Sequence, residues 1–278
     1  MSDYNKTISI LGCGWLGLPL AERLLEHGYQ VKGSSTSAEK LQVLSEKGIQ
    51  SFHIHLSPHI NADYHPEFFE SQVLVLNIPP GRRQPDIETI YPQQISEVIK
   101  VAGETSLKKI LFIGSTSVYP NLNREVIEED AGGQISDSGK AIMKAEQILH
   151  NQNRFQVNIL RFCGLYNRER NPGRFLAGKE LSSSGKDKVN LIHQEDCIRI
   201  IIKLIEKDSW GETFNACGDQ HPEKEKFYPI AAKRLGLAPP SFNAKASASY
   251  KIINSEKLKQ KLDYELVYPD PSEAIDKP

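Results

Sequence analysis

The sequence predicts an α/β fold built on a doubly wound parallel sheet. Short apolar runs of β type alternate with amphipathic helical stretches through residue 162. One run, residues 72–77 (QVLVLN), is apolar almost throughout, as a strand covered on both faces requires. A glycine-rich turn containing Gly12, Gly14 and Gly17 joins the first run to the first helical stretch.

In order along the chain, residues 7–11 (TISIL) form the first strand. Over 15–27, Leu16, Leu20 and Leu24 with Ala21 and Leu25 make one apolar face for covering a sheet. Pro19 falls near the first turn of that helix, where it is tolerated. A strand over 29–33, a helix over 38–47 and a strand over 49–54 follow. The run 72–77 is stopped by Pro79, Pro80 and Gly81, then come a helix over 88–104 and the strand 109–114 (KILFIG). A helix over 138–151 and a strand over 155–162 complete six strands with helical crossovers. Beyond Gly164 the rhythm becomes irregular. Residues 168–185 are loop-rich, 195–207 form a helix with an acidic first turn, 212–216 a strand, and 223–235 and 255–262 helices.

Composition excludes several classes. With 39% hydrophobic and 25% charged residues the chain has the makings of a packed core, not of a disordered segment. A net charge of −1 offers no broad field for nucleic acid or an anionic membrane. There is no secretory leader pattern, and no run of about 18 apolar residues to span a bilayer, so a cytoplasmic location is expected. Cys13, Cys163, Cys197 and Cys217 are far apart in apolar or glycine-containing contexts and read as buried free thiols. The histidines show no HExxH grouping, and no metal is expected.

Gly12, Gly14 and Gly17 form GxGxxG between a strand and a helix. That spacing supplies a tight turn, room for backbone beside a pyrophosphate, and close helix–strand packing. The expected fold is therefore Rossmann-type, with Trp15 and Leu16 inside the cofactor loop. The end of the second strand reads Lys32, Gly33, Ser34, Ser35, Thr36 and Ser37, with Lys40 close by and no carboxylate before Glu39. Hydroxyls and lysines there suit a 2′-phosphate, which favours NADP over NAD. A helix N-cap at Ser35 or Ser37 suits either cofactor.

Several segments together resemble the extended short-chain dehydrogenase/reductases, the NAD-dependent epimerase/dehydratase family. They are residues 12–17 (GCGWLG), 114–120 (GSTSVYP), 160–166 (LRFCGLY), 189–197 (VNLIHQEDC) and 213–219 (TFNACGD). The resemblance covers nearly the whole chain. It implies a dinucleotide-binding domain over 1–164 and mainly a smaller C-terminal substrate lobe over 165–278, with some elements returning to the first core. It implies that Asn77, Ile78 and Pro79 line the cofactor trough. Ser115 matches the family's serine and Lys144 its lysine, whose ammonium would reach the nicotinamide ribose.

The family's tyrosine, four residues before that lysine, is replaced by Lys140, and no tyrosine in the chain has a lysine four residues later. Lys140 and Lys144 share a helical face, and each disfavours the other's charge. A pocket there would lower the pKa of Lys140 and make it a proton-transfer group; the other reading is two solvated lysines or an inactive descendant. Tyr119 and Tyr166 follow strands and would supply a replacement phenol, or else pack. Ser115 to Ser117 would contact cofactor or substrate, or satisfy their own turn.

Arg82, Arg83, Arg168, Arg170 and Arg174 suit an anionic small-molecule substrate, such as a nucleotide sugar, and equally suit solvated loops. His193 sits in the resemblance's histidine–aspartate segment, where the role is usually structural. The expected function is an NAD(P)-dependent oxidoreductase, epimerase or dehydratase with an atypical site, compatible with a homodimer. The alternative is a non-catalytic dinucleotide-binding sensor or scaffold.

Overall fold

A computed structural model describes residues 6–57, 59–60, 66–81 and 86–277. Its main sheet has seven strands: β1 (Thr7–Leu11), β2 (Gln30–Ser35), β3 (Gln50–His53), β4 (Val73–Leu76), β5 (Lys109–Ser115), β6 (Gln156–Phe162) and β7 (Thr213–Ala216). Their order is β7-β6-β5-β4-β1-β2-β3. Strand β1 lies between β4 and β2, with Ile10 opposite Val75 on one side and Gly33 on the other, all parallel. Every residue of β1 and β4 is buried, which is why QVLVLN carries no polar alternation. The direction of winding reverses around β1, the position where open α/β sheets place a ligand beyond the strand ends.

The helices between these strands are α1 (Gly17–Glu26), α2 (Ala38–Glu46), α3 (Ile87–Ala102) and α4 (Asp137–Asn151), followed by α5 (Gln194–Lys207), α6 (Lys224–Arg234) and α7 (Glu256–Leu262). Helix α1 begins at Gly17, later than the apolar pattern suggested, so Pro19 is its third residue and leaves no broken interior bond. It buries Leu20, Ala21 and Leu24 of the predicted face and leaves Leu25 half-buried. Helix α4 is capped by Ser136, whose hydroxyl accepts from the Gly139 amide at 3.2 Å.

The chain divides into two compact units. One comprises Met1–Val118, Ile135–Leu160 and Ile202–Thr213; the other comprises Tyr119–Gln134, Arg161–Ile201 and Phe214–Pro278. The second unit carries short parallel pairs that periodicity did not reveal: Gly164–Tyr166 with Leu191–His193, Glu125–Val126 with Ile252–Ile253, and Glu180–Leu181 with Ser241–Phe242. The last of these pairs shows that the predicted loop 168–185 contains ordered structure, including a helical turn at Pro172–Arg174. Its core gathers Tyr166, Val189, Leu191, Phe227, Ala231, Ala274 and Ile275.

One expectation is corrected here. Cys163 and Cys217, read from sequence as free thiols, form a disulfide with Cα atoms 5.4 Å apart. Each follows the end of a strand, β6 or β7, and these strands are neighbours. The 54-residue separation hides that adjacency. Cys13 and Cys197 are free and buried; burial pushes the Cys13 thiol up to about 12 and raises Cys197 as well. Among the described residues no helix is long and apolar enough to cross a membrane.

Candidate functional site

The glycine turn is built by three strand ends. Gly12 has φ of +105°, and a Cβ there would lie 2.5 Å from the Asn77 carbonyl oxygen. A Cβ on Gly17 would lie 2.3 Å from the Gly12 carbonyl oxygen, so the first turn of α1 packs directly on the loop. At Gly14 a Cβ would meet nothing within 4 Å, and the residue is exposed. The loop thus has two packed glycines and one open to an approaching group.

Its two flanks hold it. From β2, the Ser34 hydroxyl accepts from the Gly12 amide and the Ser34 carbonyl accepts from the Cys13 amide, both at 2.9 Å. From the end of β4, the Asn77 side-chain amide donates to the Gly12 carbonyl at 2.9 Å. Tyr91 on α3 donates to the Ile78 carbonyl at 2.9 Å and fixes the residue after Asn77. Ile78 is half-buried and Pro79 exposed beyond it. Trp15 is half-buried and Leu16 buried beneath the turn.

The predicted 2′-phosphate cluster is partly dismantled by these contacts. Ser34 is buried and its hydroxyl serves the Gly12 amide, so it props the loop from below. Lys32 donates to the carbonyls of Glu67 and Glu70. The Ser35 hydroxyl accepts from the Ser37 amide at 3.2 Å, a local turn. Thr36 and Lys40 remain exposed.

Ser115 ends β5, and its hydroxyl accepts from the Ser117 amide at 3.2 Å, leaving its own O–H to donate. Helix α4 closes on this turn because residue 139 is glycine: a Cβ there would stand 2.4 Å from the Ser117 carbonyl oxygen. Lys140 follows directly. Its ammonium lies 3.0 Å from Asp137 and 3.2 Å from Glu88. Hydrogen bonds to Asp137 and then Glu88 raise its pKa, the reverse of the expected lowering. The two carboxylates favour its charged form. Lys144 meets the same Glu88 carboxylate at 3.1 Å and the Glu88 carbonyl at 3.3 Å. Glu88 therefore bridges both lysines from the first turn of α3. The sequence reading saw it only as a helix start; its one signal was its position just after the β4 turn, at the ligand edge of the sheet.

In the second unit, Tyr119 is buried within a polar network. Its phenol donates to Asn215 Oδ1 and accepts from Arg161 Nη1, both at 2.6 Å. Arg161 also donates to the Glu128 carbonyl at 2.8 Å, and the Glu128 carboxylate accepts from the Asn215 amide at 2.7 Å. Burial pushes the phenol up to about 12. Tyr119, which the sequence left as either a replacement phenol or a packing residue, is tied by its hydroxyl to Asn215 and Arg161. Tyr166 is also fully buried and raised by desolvation, against the edge of His193 with ring centroids 5.1 Å apart. His193 is buried, and burial lowers its pKa. Asp196, three residues later, accepts from the Tyr264 hydroxyl at 2.7 Å and from the amides of Val267 and Tyr268 at 2.8 and 2.9 Å. Arg168, Arg170 and Arg174 are exposed; Arg82 and Arg83 lie outside the described residues.

Lys251 is a residue the sequence did not single out. Its ammonium donates to the Tyr119 carbonyl at 2.6 Å, and burial lowers its pKa to about 8. Its segment is placed by the pairing of Ile252–Ile253 with Glu125–Val126, a contact between distant parts of the chain.

No protein-family model matches the chain. Over 269 residues it is 36% identical to Protein YeeZ of Escherichia coli, from strain K12 and equally from O157:H7, covering 96% of this chain and 97% of the relative. Among solved structures, it is similar to a short-chain dehydrogenase/reductase superfamily protein from Agrobacterium tumefaciens with bound NAD (TM-score 0.79, 14% identity, 98% of this chain and 95% of that one). It is also similar to UDP-glucuronic acid 4-epimerase from Bacillus cereus in complex with NAD (TM-score 0.76, 18% identity, 97% and 94%). The chain thus belongs to the family of Protein YeeZ and has the fold of the extended short-chain dehydrogenase/reductases.

Proposed function

We propose that the chain binds NAD(H) or NADP(H) on the Gly12–Gly17 turn and uses it on a small polar substrate as an atypical oxidoreductase, epimerase or dehydratase. The observation that carries this reading is the turn itself, with Gly12 at positive φ, Gly17 packed on it, and Gly14 open. That open glycine at the start of α1 fits a pyrophosphate, because amides and the helix dipole favour an anion there. Support also comes from the similar A. tumefaciens and B. cereus proteins, whose structures hold NAD.

In this reading Gly12, Gly14, Trp15, Leu16 and Gly17 cradle the pyrophosphate, with Asn77, Ile78 and Pro79 beside them. The bound dinucleotide would supply or accept a hydride. Ser115 would donate to a substrate oxygen, and Lys144 would donate to the nicotinamide ribose. Thr36 and Lys40 remain for a 2′-phosphate, so NADP is the favoured form. Residues 165–278 would supply mainly the substrate lobe, for a nucleotide sugar or another anionic small molecule.

Titration with NADH and NADPH tests the reading. Binding should change tryptophan fluorescence through Trp15 and raise the melting temperature. No response to either at millimolar concentration would overturn it.

A second reading, a non-catalytic sensor or scaffold, is favoured by two observations. Lys140 is held charged at the tyrosine position, and the Tyr119 phenol is spent in a buried network. A substrate screen with reduced cofactor separates the two: turnover lost in Ser115→Ala supports the enzyme, while tight cofactor binding without turnover supports the sensor.

A further inference from the structure

The Glu88 carboxylate faces two ammoniums, Lys140 Nζ on Oε1 at 3.2 Å and Lys144 Nζ on Oε2 at 3.1 Å. An ionised carboxylate offers about four lone-pair positions, so about two remain after both lysines are served. The side chain is 32% exposed, so those positions are reachable from outside. Lys140 has Asp137 as a second partner at 3.0 Å, and so does not depend on Glu88 for neutralisation. What two lysines on one carboxylate accomplish is to hold both oxygens in place. A carboxylate fixed in this way and still partly exposed is the acceptor that a pair of vicinal hydroxyls requires, the same chemistry by which acidic residues hold a ribose.

We propose that Glu88, held between Lys140 and Lys144, is the hydroxyl-accepting carboxylate for the ribose at the nicotinamide end of the dinucleotide. This rests on the proposed function, in which Lys144 serves that ribose. It adds an acceptor where the YxxxK tyrosine is missing: Lys144 donates to the diol, Glu88 accepts from it, and Lys140 fixes the carboxylate. With only donors at residues 140 and 144, the diol's own protons would go unmatched.

Isothermal titration of purified protein with NADH, ADP-ribose and ADP tests this. ADP-ribose keeps the second ribose and ADP lacks it. Glu88→Gln should weaken NADH and ADP-ribose by about tenfold or more, the loss of a charged acceptor, and leave ADP unchanged. The sign is informative. If Glu88 were only a like charge beside an anionic ligand, its neutralisation would strengthen all three. Glu88→Asp, which keeps the charge but retracts the oxygens, should weaken the same two ligands. Glu104→Gln, an equal charge change at an exposed residue just beyond the far end of α3, should change none. Thermal melts read folding separately. Glu88→Gln binding NADH as wild type does, or losing ADP equally, would overturn this proposal alone. Wild-type protein that binds none of the three would overturn the dinucleotide reading, and this proposal with it.

Discussion

The side-chain amide of Asn77 donates to the carbonyl oxygen of Gly12 at 2.9 Å, tying the residue after β4 to the turn after β1. The same oxygen lies 2.3 Å from where a Cβ on Gly17 would stand. Gly17→Ala must therefore push the helix off the turn and strain that bond. The expected cost is about 1–3 kcal/mol in chemical denaturation, as for overpacked sites, with weaker NADH binding. An unchanged denaturation midpoint would show that α1 can shift freely.

Ser34 supplies the other flank. Ser34→Ala leaves the Gly12 amide without its acceptor, at a cost of about 1–3 kcal/mol for a buried donor. Since the hydroxyl props the loop, NADH and NADPH affinities should fall by similar factors. A loss confined to NADPH in parallel titrations would instead place the hydroxyl on the 2′-phosphate.

Lys251 gives a pH signature. Burial lowers its folded pKa to about 8, whereas the unfolded side chain keeps its proton to about 10.4. Between those values the unfolded chain binds more protons, so this group makes stability rise with pH across the window. Below about pH 8 its full penalty is present. Lys251→Met should thus melt higher than wild type at pH 7, with the advantage shrinking towards pH 10. A melting difference independent of pH would refute the lowered pKa.

Asp196 is buried and accepts three hydrogen bonds from the segment at Tyr264–Tyr268. Asp196→Asn replaces charged acceptors with a weaker one and adds donors without partners. It should cost about 2–4 kcal/mol, from several weakened bonds of about 1–3 kcal/mol each. Limited proteolysis should then cut first within residues 264–277. Resistance equal to wild type would mean the segment is held elsewhere.

Much of the first unit was legible. QVLVLN reads as a doubly covered strand because β4 is buried on both faces, and the α1 leucines read as a helix because one face packs on the sheet. Periodicity reports such burial directly. The second unit's two- and three-residue pairs, such as Ile252–Ile253 with Glu125–Val126, are too short to show a period. The same limit hid Lys251, whose desolvation depends on a strand partner more than a hundred residues away. Cys163 and Cys217 stayed hidden for a like reason, since nothing local records that β6 and β7 are neighbours.

By itself the sequence determined the strand–turn–helix of the glycine loop, because tight turns and close approach are local demands that only glycine meets. It also determined that Ser115, Lys140 and Lys144 stand where the family resemblance implies a serine, a tyrosine and a lysine. Tertiary structure decided what those residues do with their charges. Lys140 and Lys144 are bound to a carboxylate from another helix, Ser34 serves a neighbouring amide, and the Tyr119 phenol is consumed by Arg161 and Asn215. Such partnerships follow from which segments the fold brings within hydrogen-bond reach, and no spacing along the chain encodes that reach.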